Sequence, residues 1–178
     1  DGGLAHPFQD FTRSTILATS ASLSPGWIGR LSASSFRRAQ TGSLAAWFLD
    51  GTQFVAGELL SPPTPGDRDW RVVGTADFDR NDTTDVLFQH ADGTLAVWFL
   101  GGTQLTASIL LEPSSPGDKQ WRARAVGDFN QDGNPDLVFQ HAIDGTLAVW
   151  LMNGTRLVSA YTLDPALAGT VWKIVGPP

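Results

Sequence analysis

Two stretches of the chain crowd hard oxygen donors into nine residues each. They are Asp77-Phe78-Asp79-Arg80-Asn81-Asp82-Thr83-Thr84-Asp85 and Asp128-Phe129-Asn130-Gln131-Asp132-Gly133-Asn134-Pro135-Asp136. Both place Asp or Asn at positions one, three, five and nine, and the backbone carbonyl of position seven (Thr83, Asn134) can join them. That spacing curls several oxygens around one point, and calcium takes six to eight such ligands. Without a cation, the carboxylates of one tight loop repel each other. Asp77, Asp79, Asn81, Thr83 and Asp85 are therefore read as one set of Ca²⁺ ligands, and Asp128, Asn130, Asp132, Asn134 and Asp136 as a second. An EF-hand is excluded, because Phe88 and Phe139 stand at position twelve and the flanking residues have strand character. Solvated Asx turns are the plainer alternative; two copies in register favour the metal. Gly133 supplies the flexible sixth position that Asp82 occupies at some strain, so the second loop is expected to bind more tightly.

Other candidates carry less chemistry. His90 and His141 recur in Phe-Gln-His-Ala, with Arg38 at the same place in an earlier copy. These three form either a repeated ligand contact or polar strand ends. No nucleophile elbow or comparable constellation is present, so no catalytic residue is assigned and the chain is read as a non-enzyme. The formal net charge of −6 supplies no basic patch for nucleic acid. There is no cysteine, hence no disulfide, thiol nucleophile or thiolate metal site. No apolar run approaches the roughly 18 residues that cross a bilayer as a helix.

The elements that would position these loops repeat. Leu44-Ala45-Ala46-Trp47-Phe48-Leu49-Asp50-Gly51-Thr52 returns as Leu95-Ala96-Val97-Trp98-Phe99-Leu100-Gly101-Gly102-Thr103 and again as Leu147-Ala148-Val149-Trp150-Leu151-Met152-Asn153-Gly154-Thr155. The offsets are 51 and 52 residues. A second series, Trp27, Trp70, Trp121 and Trp172, places all seven tryptophans in the repeat. One unit reads as four strands: Trp70 to Ala76, Asp85 to His90, Thr94 to Leu100 and Gln104 to Leu111. Asp50-Gly51, Gly101-Gly102 and Asn153-Gly154 are expected to turn the third strand into the fourth through type I′ hairpins. Pro/Gly stretches at 24–26, 62–66 and 113–117 separate the units. The segment Leu31 to Ser35 reads as a short loop without carboxylates. Leu95, Val97 and Phe99 alternate with Ala96, Trp98 and Leu100, and both faces are apolar. Such a strand must be buried on both sides, which makes Trp98 and Trp150 core residues.

Four short antiparallel strands at a constant period match a propeller blade. The fold expected is all-β, a β-propeller of four-stranded antiparallel blades, three complete and one partial or composite. The divisions are 1–26, a partial blade of third and fourth strands; 27–69, a blade without the calcium loop; 70–120 and 121–170, blades with it; and 171–178, the first strand of a closing blade.

Asp128-Phe129-Asn130, Asp132-Gly133, Asp136-Leu137-Val138 and the following Gly145-Thr146-Leu147-Ala148-Val149-Trp150 resemble the FG-GAP/VCBS-type repeat of integrin α-chain propellers and many exported bacterial proteins. The resemblance covers roughly residues 27 to 176. It implies a calcium-stabilised propeller with a recognition or adhesion role, placed extracellularly, in the periplasm or at a cell surface. The partner would be a protein or a glycan, and the chain a homo-oligomer or a subunit of a larger assembly. Some lectins with similar repeats hold sugars at or between blades, which is the alternative function. The short first unit, Asp82 and the small number of repeats depart from the family pattern.

Overall fold

A computed structural model describes residues 17–20, 31–37, 43–50, 53–167 and 174. Among them every regular element is a strand: β1 Leu17–Ser20, β2 Leu31–Arg37, β3 Leu44–Asp50, β4 Gln53–Leu59, β5 Arg71–Ala76, β6 Asp85–Gln89, β7 Leu95–Gly101, β8 Gln104–Leu110, β9 Trp121–Gly127, β10 Asp136–His141, β11 Thr146–Asn153 and β12 Arg156–Leu167. They form three antiparallel sheets, β1–β4, β5–β8 and β9–β12, each ordered as in the chain. No helix long and apolar enough to cross a membrane occurs among the described residues.

The second and third sheets follow the expected repeat, while the first departs from it. Its opening strand is Leu17–Ser20, paired with β2 from Leu17↔Ser35 to Ser20↔Ser32. Leu31 to Ser35, read as a loop, lies inside β2. The edge beside β2 is thus taken by Leu17–Ser20, an earlier segment than the expected first strand of the unit. Trp27 itself, the Pro25 turn, Arg38 and the closing strand at Trp172 lie outside the described residues. The hairpins are also shifted by one residue. Gly101 pairs with Gln104 and Asn153 with Arg156, so the two-residue loops are Gly102-Thr103 and Gly154-Thr155. Only the glycines take positive φ, +69° and +58°. A β-branched threonine resists that region, so the pattern is that of a II′ turn rather than I′.

Apolar alternation sets the packing. Leu95, Val97 and Phe99 join Val73, Phe78 and Leu87 against Ala123, Val126, Leu137, Phe139, Trp150 and Met152 of the third sheet. From the opposite face of the same sheet, Trp98, Leu100, Val86 and Phe88 pack with Leu44 and Leu60. Strand β7 is thus buried on both faces, as its two apolar sets require, and Trp98 and Trp150 are both core residues. Each fully buried side chain of this size stabilises by about 1.5–3 kcal/mol. Gly74 marks the closest approach: a Cβ there would lie 2.8 Å from a Val126 methyl.

Backbone hydrogen bonds fasten each sheet to the next. The Ser61 N–H donates to the Thr103 carbonyl at 2.9 Å, and Leu105 N–H returns to Ser61 at 2.8 Å. One repeat later Glu112 and Leu157 make the same exchange with Thr155 and Glu112 carbonyls, at 2.9 and 2.8 Å. The segment leaving one sheet therefore lines up with the last hairpin of the next, and the repeat extends beyond single sheets to their junctions.

Candidate functional site

Both acidic loops leave the first strand of a sheet and enter the second, and they adopt one conformation. Positions four and six have positive φ in each: Arg80 at 60° and Asp82 at 62°, Gln131 at 63° and Gly133 at 83°. The position-one carboxylates fix that shape. Asp77 accepts from the N–H groups of Asn81 and Asp82 at 3.1 and 2.8 Å. Asp128 accepts from Asp132 and Gly133 at 3.0 and 2.8 Å. Position five closes the turn through the N–H of position seven, Thr83 to Asn81 at 2.7 Å and Asn134 to Asp132 at 2.8 Å. The Thr83 hydroxyl bonds Asn81 and also the Leu100 carbonyl, the latter at 2.7 Å.

Position nine does work that spacing alone does not disclose. Asp85 and Asp136 are fully buried. One Asp85 oxygen accepts from Phe78 N–H at 2.8 Å and the other from Leu100 N–H at 3.0 Å. Asp136 does the same for Phe129 at 2.9 Å and Met152 at 2.9 Å. Each carboxylate staples the loop start to the third strand of its own sheet. Burial, opposed by the two backbone donors and aided by the charges of Asp79 and Asp77, pushes the Asp85 carboxyl up to about 6.

The donor set of the first loop fits a hard cation. Carboxylate oxygens of Asp77, Asp79 and Asp85 lie within 4.8 Å of one another. An ionised carboxylate has about four lone-pair sites, so oxygens engaged by backbone N–H groups retain pairs for a metal. In the second loop position three is Asn130, whose amide donates to Asp132 at 2.9 Å. Hydrogen bonds from Asn130, then from the backbone and side chain of Asn134, hold the Asp132 carboxyl below its usual range. Arg80 of the first loop reaches the Asp132 carbonyl at 3.3 Å, so the loops are neighbours.

His90 and His141 occupy equivalent settings, apart from each loop. Each ring lies 5.0 Å from a tryptophan, Trp70 or Trp121. His90 sits between Asp92 at 2.9 Å and Asp67 at 3.6 Å, and His141 between Asp144 at 2.8 Å and Asp118 at 3.6 Å. The bond to Asp92 is the main cause raising His90 above 6.5. The N–H of Thr94, then His90, holds Asp92 down at about 2. Asp67, Asp69 and His90 also cluster, but Asp69 becomes Gln120 in the next repeat.

A residue that sequence reasoning passed over joins the sheets. Gln89 is fully buried; its amide donates to the Trp121 carbonyl at 3.0 Å, and its oxygen accepts from Ala123 N–H at 3.1 Å and from Arg71. Its counterpart Gln140 is also buried. The signal was the recurrence of glutamine before both histidines, at an offset of 51.

Residues 77–139 match the family model of the FG-GAP-like repeat. The matched span begins at position one of the first loop and takes in the whole second loop. No curated protein and no solved structure matches the chain.

Proposed function

We propose that this chain, an FG-GAP-type repeat protein by the match over residues 77–139, is a non-enzymatic, calcium-stabilised β-propeller module that serves as an interaction or scaffold surface outside the cytoplasm. The observation that carries the calcium reading is the duplicated loop. Two segments of different sequence share positive φ at the same two positions and the same carboxylate-to-backbone bonds. In the first, three carboxylates converge. Asp77, Asp79, Asn81, Thr83 and Asp85 would hold one ion; Asp128, Asn130, Asp132, Asn134 and Asp136 would hold another. Calcium would neutralise the repelling charges and fix the loops against the third strands.

The propeller arrangement is supported by three consecutive four-stranded sheets that pack face against face and exchange the same backbone bonds at each junction. The interaction role is supported by apolar side chains on the fourth strands. Phe54, Val55 and Leu59 on β4, Ile109 and Leu110 on β8, and Val158 and Tyr161 on β12 are exposed. An exposed apolar band on sheet edges marks a surface suited to a protein partner. The lectin reading rests on the paired His–Trp–Asp–Asp settings of His90 and His141, since an aromatic beside polar acceptors suits a sugar.

Calcium titration monitored by thermal melting tests the central claim. Tm is expected to rise with calcium and to return on chelation. An unchanged Tm across both conditions sinks it. A glycan array run beside affinity capture separates the scaffold from the lectin.

A further inference from the structure

Three arginines converge where β5 and β9 lie side by side. Arg71 on β5 donates through both terminal nitrogens to the Ala123 carbonyl on β9, at 3.5 and 3.4 Å. Ala123 stands between Arg122 and Arg124 in the strand. The offset of 51 aligns Arg122 with Arg71 and Arg124 with Val73. The third sheet has therefore replaced an apolar core position of the second with a cation.

Among the described residues no acidic group pairs with these charges; the ion pairs there engage His90, His141 and Arg156. Nη1 of Arg122 and Nε of Arg124 are buried with no protein acceptor. A buried donor of this kind is costly, more so on a charged group. Burial first, then the Arg124 and Arg122 charges, push the Arg71 guanidinium down to about 10. Burial and Arg122 lower Arg124 as well. All this occurs in a chain of net charge −6, seven of whose 18 acidic residues lie in the two loops described above. Guanidinium forks match the oxygens of tetrahedral oxyanions, and three cations suit a divalent anion better than a single carboxylate.

We propose that Arg71, Arg122 and Arg124 form a binding site for a sulfate or phosphate group, either free or carried on a saccharide. The anion would take the orphaned Arg122 and Arg124 donors and cancel the mutual repulsion of the three charges. Arg71, already tied to Gln89 and Ala123, would anchor the site across the two sheets.

The test is calorimetric titration of the calcium-loaded full chain with sodium sulfate at constant ionic strength. Sulfate is used because phosphate precipitates calcium. Wild type is expected to bind saturably, and at ten times its dissociation constant sulfate should raise Tm by roughly 3–6 °C. Arg124→Gln should weaken binding at least tenfold. Arg156→Gln, at an exposed ion pair with Glu112, should bind as wild type. General stabilisation by an excluded salt would act on all variants alike. If Arg124→Gln does not fold, Arg122→Gln takes its place. A parallel titration with a sulfated disaccharide assigns the source: tighter binding than free sulfate points to a saccharide, equal or weaker binding to the free ion. Absence of saturable binding in wild type, or equal affinity in the arginine variants, overturns the proposal.

Discussion

Replacing Asp85 and Asp79 by alanine, one at a time, separates two roles that the first loop combines. Asp85 is fully buried and receives the N–H groups of Phe78 and Leu100 at 2.8 and 3.0 Å. Asp85→Ala leaves both donors unpaired in the interior. At about 1–3 kcal/mol for each, the loss should reach about 2–6 kcal/mol even in chelator, or roughly 4–24 °C in Tm for a domain of this size. Asp79 is exposed and, among the described residues, accepts from the Asn81 side chain at 2.9 Å. Its charge also disfavours the ionised Asp85 carboxyl. Asp79→Ala should therefore change stability by no more than about 0.5 kcal/mol in chelator, with relief of repulsion opposing the lost bond. With calcium the order changes. An ion at a hundred times its dissociation constant adds about 2.7 kcal/mol to wild type, and Asp79→Ala should lose most of that gain. Urea unfolding at 25 °C, with EDTA and with saturating calcium, measures all four differences. The staple account fails if the two variants are equally destabilised in EDTA. The ligand assignment fails if Asp79→Ala gains as much from calcium as wild type.

Trp98→Ala and Trp150→Ala, at positions buried against Phe88 and Phe139, should each cost about 3–5 kcal/mol by chemical denaturation; a variant that keeps wild-type stability while losing a ligand would show a recognition residue instead. Gly74→Ala drives a methyl against Val126 and should cost about 1–3 kcal/mol, with Val126→Ala restoring part of it in a double-mutant cycle; strict additivity would refute the contact. The His90 imidazole should titrate above 6.5 by NMR and move down in Asp92→Asn. Because its folded pKa is raised, its contribution to stability is complete below the unfolded value and fades as pH rises through the folded one; an unshifted His90 in both proteins counts against the pair. Selective titration of the two loops by calcium, followed in Asp77→Ala and Asp128→Ala, should show tighter binding at Asp128–Asp136, whose sixth position is Gly133; the reverse order would mean that the convergence of Asp77, Asp79 and Asp85 outweighs turn strain.

What could be read from the residues, and what could not, follows from the range of each interaction. The four-strand unit was legible because burial of both faces of β7 writes itself as two interleaved apolar sets, Leu95-Val97-Phe99 and Ala96-Trp98-Leu100. The loops were legible because carboxylate spacing and the positive φ of position six are local properties. The first sheet was not, since Leu31–Ser35 is small and polar and its strand state depends on a partner, Leu17–Ser20, which carries no repeat signature. The hairpin was misplaced by one residue because Gly101-Gly102 offers two glycines, and only the pairing Gly101↔Gln104 decides which one turns.

The cross-sheet contacts lay further out of reach, and they bear most on function. Gln89 reads as a polar residue in an apolar strand until the Trp121 carbonyl and Ala123 N–H are placed beside it. Arg122 and Arg124 merely alternate with alanine in Trp-Arg-Ala-Arg-Ala, a pattern that by itself assigned them no role. On the structure, alternation instead carries Arg-bearing β9 against β5, where Arg71 binds its backbone and buried donors remain without acceptors. A repeat that conserved only its own core would place Val at 124, as it does at 73. The exchange of a core valine for a second cation adds desolvation and repulsion, and among the described residues no ion pair offsets it. Differences between otherwise matching repeats are therefore where the anion-site proposal finds its evidence, and the arginine at position 124 is one place where the second and third sheets part chemically.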